Sequence, residues 1–117
     1  MKYVEGFVAA VPVANKEAYQ QHAREAAVLV HEYGVTRVVE CWGDDVPDGK
    51  VTDFRAAVKA KDDEVVVFSW FEYTSKEVRD DVMKKMMDDP RMHEIGASMP
   101  FDGKRLIYGG FVTLLDV

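Results

Sequence analysis

Hydrophobic and polar positions alternate most densely in Glu64–Tyr73, EVVVFSWFEY, where both parities of the alternation are apolar. In an extended strand Val65, Val67 and Phe71 point one way while Val66, Phe68 and Trp70 point the other. A strand that is apolar on both faces has to be covered on both faces. Residues 2–11, rich in Val, Tyr and Phe, read as a first strand, and residues 35–42 and 104–115 as the second and fourth. Between the first two strands, Asn15 is positioned as a helix cap for Lys16–Tyr33. There Tyr19, His22, Ala26, Leu29 and Tyr33 share a stripe at three-and-four spacing, and Gly34 follows as a terminator. Thr74-Ser75-Lys76-Glu77 has the form of a capping box, with Thr74 as cap. It opens a second helix running to about Asp89, with Val78, Val82, Met83, Met86 and Met87 on its buried side. Pro90 interrupts that helix and residues 91–96 add a further turn. The segments 43–52 and 98–103 are dense in turn residues and read as loops, and 53–61 reads as an extended or mixed segment rather than a short amphipathic helix.

The order strand, helix, strand, strand, helix, strand is an α+β pattern: a ferredoxin-like βαββαβ antiparallel sheet with two helices on one face, expected as a single domain over 1–117. Two helices cover one face of such a sheet. The expectation for the other face is a second copy of the same sheet, a homodimer.

With 117 residues, 48% of them hydrophobic, the chain is large enough for a real core. A formal net charge of −6 with scattered basic residues argues against nucleic-acid binding, and the aromatic strand carries no RNP-type motif. No apolar run approaches the roughly 20 residues of a membrane span, and the apolar N-terminal stretch is interrupted by Glu5 and closed by Pro12 and Asn15. Cys41 is the single cysteine, which rules out an intramolecular disulfide and makes a cytoplasmic location the default expectation.

Three stretches carry a resemblance: ECWGDDVPDGK at 40–50, FSWFEY at 68–73, and DPRM…MPFDGKRLIYGGF from Asp89 to Phe111. In these, over nearly its whole length, the chain resembles the YbaA-like family of small bacterial proteins of uncharacterised function. The resemblance implies a dimeric α/β barrel in which two ferredoxin-like sheets pack face to face. That wider group holds cofactor-free monooxygenases, haem-degrading enzymes, isomerases and plain ligand binders, so it implies an architecture and not a reaction. No established catalytic residue comes with it.

Charges inside strands are the first candidates for chemistry, because a buried charge costs several kcal/mol unless it is paired. Glu5, Glu40, Glu72 and Arg105 qualify. Strand four borders strand one in this topology, so Glu5 and Arg105 are expected as cross-strand partners. That structural ion pair outweighs a catalytic role. His22, on the inner stripe of the first helix, is positioned to face a cavity between helix and sheet; a hydrogen-bonded structural histidine is the plainer alternative. Candidate catalytic residues are Glu5, His22 and Glu40. Trp42, Met99, Phe101, Arg105 and Tyr108 are candidate ligand-binding residues around the same cavity.

Gly109-Gly110 within strand four signals a bulge or a close approach by a neighbouring group. Asp44, Asp45 and Asp48 lack the spacing of a calcium loop, and His22 and His31 lie half a turn apart, so no metal motif is present. Ser69 and Ser98 lack a nucleophile elbow, and no glycine-rich phosphate loop occurs, so no cofactor is expected. Three classes of function follow: a cofactor-free small-molecule enzyme, a noncatalytic binder of a small ligand, and an assembly dimer with a filled core and no cavity.

Overall fold

The computed structural model describes residues 2–117. It places β1 (Tyr3–Pro12), α1 (Lys16–Tyr33), β2 (Arg37–Trp42), α2 (Phe54–Ala57), β3 (Glu64–Tyr73), α3 (Lys76–Asp88), α4 (Pro90–Gly96) and β4 (Ile107–Val112) in that order, with short 3-10 turns at Val13–Asn15 and Gly103–Arg105. The four strands form one antiparallel sheet in the order β2-β3-β1-β4. This is the ferredoxin-like arrangement, and its central pair is β1 against β3, in register along the full ten residues of each strand.

Odd-numbered residues of β1 and β3 face the helices. Tyr3 and Tyr73 join Leu29, Val30 and Tyr33 of α1 and Val82 of α3 in the main core, while Ala9, Val11 and Val67 form a second cluster near Tyr19 and Trp42. Each fully buried Val or Leu contributes roughly 1.5–3 kcal/mol, so these clusters hold the helix layer on the sheet. Gly34 ends α1 at φ 137°, a conformation that favours glycine, and its N–H reaches the Val30 and His31 carbonyls.

Even-numbered residues face the other way and are covered at one end only. Val58 packs with Ala10 and Val66, and Phe54 stands edge-on to Phe68 with ring centroids 6.1 Å apart. The cover is the segment 53–61, a mixed stretch in which one short helix, Phe54–Ala57, is followed by irregular chain. Asp53 caps it by accepting from the Ala56 amide at 2.6 Å and also takes the Gly49 amide, and these amides hold its carboxyl below the usual range. The rest of this face is open and apolar. Phe68 remains 44% and Phe111 61% exposed, and with Val4, Val8, Trp70 and Ile107 they line a shallow depression of about 610 Å³.

Several local expectations are corrected. Ser75, not Thr74, caps α3: its side chain accepts from the Val78 amide at 3.2 Å, which moves the helix start one residue on and removes Glu77 from a capping box. Asn15 makes no cap bond with its side chain. Its Nδ2 donates instead to the Pro100 carbonyl at 2.9 Å and ties the start of α1 to the loop before β4. Met87 is 73% exposed and lies off the buried side of α3. The turn after Pro90 is a separate helix, α4, capped by Asp89.

Glu5 and Arg105 are not partners. Arg105 lies in the 3-10 turn before β4, where it clasps Glu64 through two bonds of 2.7 Å and holds that carboxyl down at about 2. Glu5, only 1% exposed, bonds Arg79 Nε of α3 at 2.7 Å. The guanidinium of Arg79 also lies over the Tyr3 ring, 5.1 Å from its centroid.

That cluster explains Gly110, which pairs with Glu5 in the β1–β4 register. A Cβ there would collide with Arg79 Nη2 and the Tyr3 hydroxyl, and would lie 2.8 Å from Tyr3 Cε2. The glycine pair therefore marks a close approach, with pairing to β1 unbroken through both residues and no bulge. Gly109 is different: a Cβ would meet only Phe111, at an ordinary 3.7 Å. Gly110→Ala is expected to lose about 1–3 kcal/mol, the usual cost of overpacking, in urea unfolding, whereas Gly109→Ala loses less. Equal losses would show that the Arg79 cluster yields freely.

Candidate functional site

Between the helix layer and the sheet is a second cavity, of about 200 Å³. Its walls are apolar: Phe7 and Phe71 from the central strands, Met86 and Met92 from α3 and α4, and Met99 and Phe101 from the loop before β4. Four polar side chains reach it, Tyr19 and His22 of α1, Glu40 of β2 and Ser69 of β3. They converge because of two periodicities. Tyr19 and His22 are one helical turn apart on the sheet-facing stripe, and Glu40 lies directly opposite Ser69 in the β2–β3 register, both on the helix-facing side.

The Tyr19 hydroxyl donates to Glu40 Oε1 at 2.6 Å. Glu40 sits on the edge strand and keeps an exposed flank, yet its carboxyl is crowded by the cavity wall. That desolvation pushes its pKa above the ordinary glutamate value, while the hydrogen bonds from Tyr19 and Ser69 pull in the opposite direction. Tyr19 is shifted further: burial, the neighbouring Glu40 charge and the bond to it all hold the phenol in its protonated form. The pair is thus a carboxylate that binds protons more readily than usual beside a phenol that keeps its own. A carboxylate of this kind, at the wall of an apolar cavity, is suited to accepting a proton from a bound molecule.

His22 faces the cavity as expected, edge-on to Phe101 at 6.3 Å, and its Nε2–H donates to the Ile95 carbonyl at 3.2 Å. This bond orients the ring and commits one of its two nitrogens. Met99 and Phe101 also lie on the cavity wall. Trp42 lines an adjoining recess of about 130 Å³, which shares Tyr19, Ala23 and Glu40 with the main cavity and adds Lys16 and Gln20.

Three other candidates are placed elsewhere. Glu5 is locked to Arg79, Arg105 is engaged by Glu64 and Asp102, and Tyr108 lies on β4, on the rim of the depression of the open face. Conversely, Tyr19 and Ser69 belong to the site although neither stood out as a functional residue. The signal for Ser69 was a small polar residue within the apolar run Val65–Phe71; for Tyr19 it was its place one turn before His22. Among the described residues no group of three or more His, Cys, Asp or Glu is arranged to hold a metal ion, and no helix is long and apolar enough to cross a membrane.

The environment of Glu40 has a measurable consequence. Because its pKa is raised on folding, the folded chain holds this proton more tightly than the unfolded one. The Glu40 contribution is therefore most favourable below the unfolded pKa and declines as pH rises through the folded value. Carboxyl-detected NMR titration should place Glu40 above the reference value of 4.5, and Tyr19→Phe, which deletes a bond to the charged form, should raise it further. A lower midpoint in Tyr19→Phe would overturn this assignment of the Tyr19 bond.

Comparison with known proteins agrees with this architecture. A family model described as "Protein of unknown function (DUF1428)" matches residues 2–103. The "Uncharacterized protein YbaA" of Escherichia coli is 66% identical over 116 residues, covering 99% of each chain. Among solved structures, an uncharacterised NIPSNAP domain protein from Burkholderia xenovorans superposes with a TM-score of 0.63 at 16% identity, covering 95% of this chain and 93% of the other. SnoaB, a cofactor-independent oxygenase from Streptomyces nogalater, does so with a TM-score of 0.60 at 14% identity, over 99% and 96%. A dimeric ferredoxin-like protein of unknown function from Jannaschia gives 0.58 at 13% identity, over 95% and 99%. At these identities the structural likenesses concern the fold alone. The family model and the YbaA relative establish more: this chain belongs to the DUF1428 family, whose bacterial relatives include YbaA.

Proposed function

We propose that the chain is one subunit of a homodimer closed through the open sheet faces, and that the helix–sheet cavity of each subunit is the site of a cofactor-free small-molecule enzyme. The observation that carries the enzymatic reading is the convergence of Tyr19, Glu40 and Ser69 at one wall of an otherwise apolar cavity. About 200 Å³ suits a one-ring molecule or a little more. The substrate class is a compact, largely apolar molecule with a weakly acidic proton. Glu40 takes that proton and becomes a carboxylic acid, and the electron pair stays on the substrate as an enolate or phenolate. Tyr19 positions the Glu40 carboxylate. His22 and Phe101 complete the lining, with the Phe101 ring 5.6 Å from that of Tyr19. The likeness in fold to a protein described as a cofactor-independent oxygenase supports a reading without a bound cofactor. Cys41, free and exposed, suits a reducing compartment such as the cytoplasm.

A noncatalytic binder is the second reading, and the His22 bond to Ile95 favours it, because that bond leaves the site with one clear base rather than an acid–base pair. An assembly protein with a filled core is disfavoured by the cavity itself.

The dimer rests on the apolar open face, whose exposed aromatic side chains form a contiguous patch of the kind that marks an interface. Native mass spectrometry should give twice the 13.2 kDa chain mass, and Phe68→Glu should shift it to the single-chain mass with helical content retained. A wild-type monomer would sink the dimer. Proton removal is tested with 2-indanone in deuterated water, followed by NMR. The wild type should accelerate deuterium uptake at the carbons beside the carbonyl, and Glu40→Gln should lower kcat/KM by about 10²–10⁴-fold, the usual contribution of a general base. Binding without accelerated exchange would support the noncatalytic reading instead.

A further inference from the structure

The recess beside the cavity contains a lysine that the proposed proton chemistry does not use. Lys16 opens α1, and its ammonium stands over the Trp42 ring, 5.5 Å from the centroid. Among the described residues it has no carboxylate within ion-pairing distance, Glu40 included, although both line the same recess. A cation held by an aromatic face keeps its full charge and loses part of its hydration, so it stays available to an anion. Gln20 adds an amide on the same wall.

The recess adjoins the main cavity and shares the side chains of Tyr19, Ala23 and Glu40 with it. Glu40 and Trp42 are two residues apart on one face of β2, so their side chains leave the strand about 7 Å apart. A molecule bridging the two compartments would meet a proton acceptor at one end and a cation at the other, with apolar walls between.

We infer that the natural ligand is an anion, a compact aromatic or alicyclic acid with its carboxylate at the end remote from its acidic proton, and that Lys16 is the specificity-determining residue reading that carboxylate. This rests on the proposed cavity site and narrows its substrate class to molecules whose apolar body carries a carboxylate at one end. Glu40 and Lys16 divide the work. A carboxylate placed next to Glu40 would be repelled, whereas one placed beside the Lys16 ammonium gains a charge-assisted hydrogen bond from it.

Two probes that differ only by the carboxylate test this, p-cresol and 4-hydroxyphenylacetate, titrated calorimetrically. The wild type should bind 4-hydroxyphenylacetate about tenfold more tightly than p-cresol, as a charge-assisted contact at a partly exposed site allows. In Lys16→Met the ratio of the two affinities should fall to about one, Lys16→Arg should retain most of it, and Lys104→Met, an exposed lysine outside both compartments, should leave it unaltered. Wild-type binding of p-cresol with no preference for the acid, or a preference that survives in Lys16→Met, would overturn the role of Lys16 and leave the cavity reading standing. Failure of the wild type to bind either probe would overturn both.

Discussion

The architecture is governed by a mismatch between what the central strands must bury and what the chain has to bury it with. β1 and β3 pair along ten residues and present apolar side chains on both faces. The long helices α1 and α3 protect only the odd-numbered face, where Tyr73, Val11, Val67, Val30 and Val82 are almost wholly excluded from water. On the even-numbered face, four residues of α2 and Val58 shield Ala10 and Val66 and leave Phe68, Ile107 and Phe111 in solvent. An apolar face of that extent is of the kind that marks an interaction surface. The helix-covered half carries an opposite imperfection. There the elements do not quite fill the space between them, and the remaining volume lies against Tyr19, His22 and Glu40.

Much of the fold was legible in the sequence because it depends on periodicity. The two-sided strand at Glu64–Tyr73, the stripe of α1 and the order of elements follow from side-chain spacing, and the sheet has the corresponding topology. What was not legible depends on which side chain completes which backbone group. Thr74 and Ser75 are adjacent, equally capable caps, and the choice between them is made by where the chain leaves β3. Asn15 looks like a cap in sequence, but the Pro100 carbonyl from across the fold claims its amide. The short helix α2 has too few turns to show a period. Its existence rests on the Asp53 cap and on Phe54 and Val58 packing on the sheet.

The same distinction divides the site. His22, Met99 and Phe101 were expected at the cavity and lie on its wall, because their positions follow from one helix face and one loop. Glu5 and Arg105 were expected to meet, and they do not. Strand neighbours are set by register, and register brings Gly110 rather than Arg105 opposite Glu5. The true partner of Glu5 comes from α3, at a distance along the chain that no local pattern encodes. Arg105 is held back in a turn by Glu64, the Lys59 carbonyl and Asp102, and so works as a clasp between loops.

Three of the four glutamates of the sheet, Glu5, Glu64 and Glu40, then separate by the company they keep. Glu5 and Glu64 are buried on the central strands, where an unpaired carboxylate would be costly, and each is neutralised by an arginine. A guanidinium cannot give up its proton in this range, so Arg105 holds Glu64 in the ionised form, and the Glu5 carboxylate is committed to Arg79 rather than turned to a cavity. Glu40 is met by a phenol and a hydroxyl, which are neutral. It can be left to neutral donors because β2 is an edge strand, where an exposed flank relieves part of the desolvation that the central positions would impose. Partial burial without a counter-charge raises the basicity of the carboxylate. Fuller burial would demand an arginine, and fuller exposure would return an ordinary acid. The edge strand meets both conditions, and Glu40 lines the cavity from it.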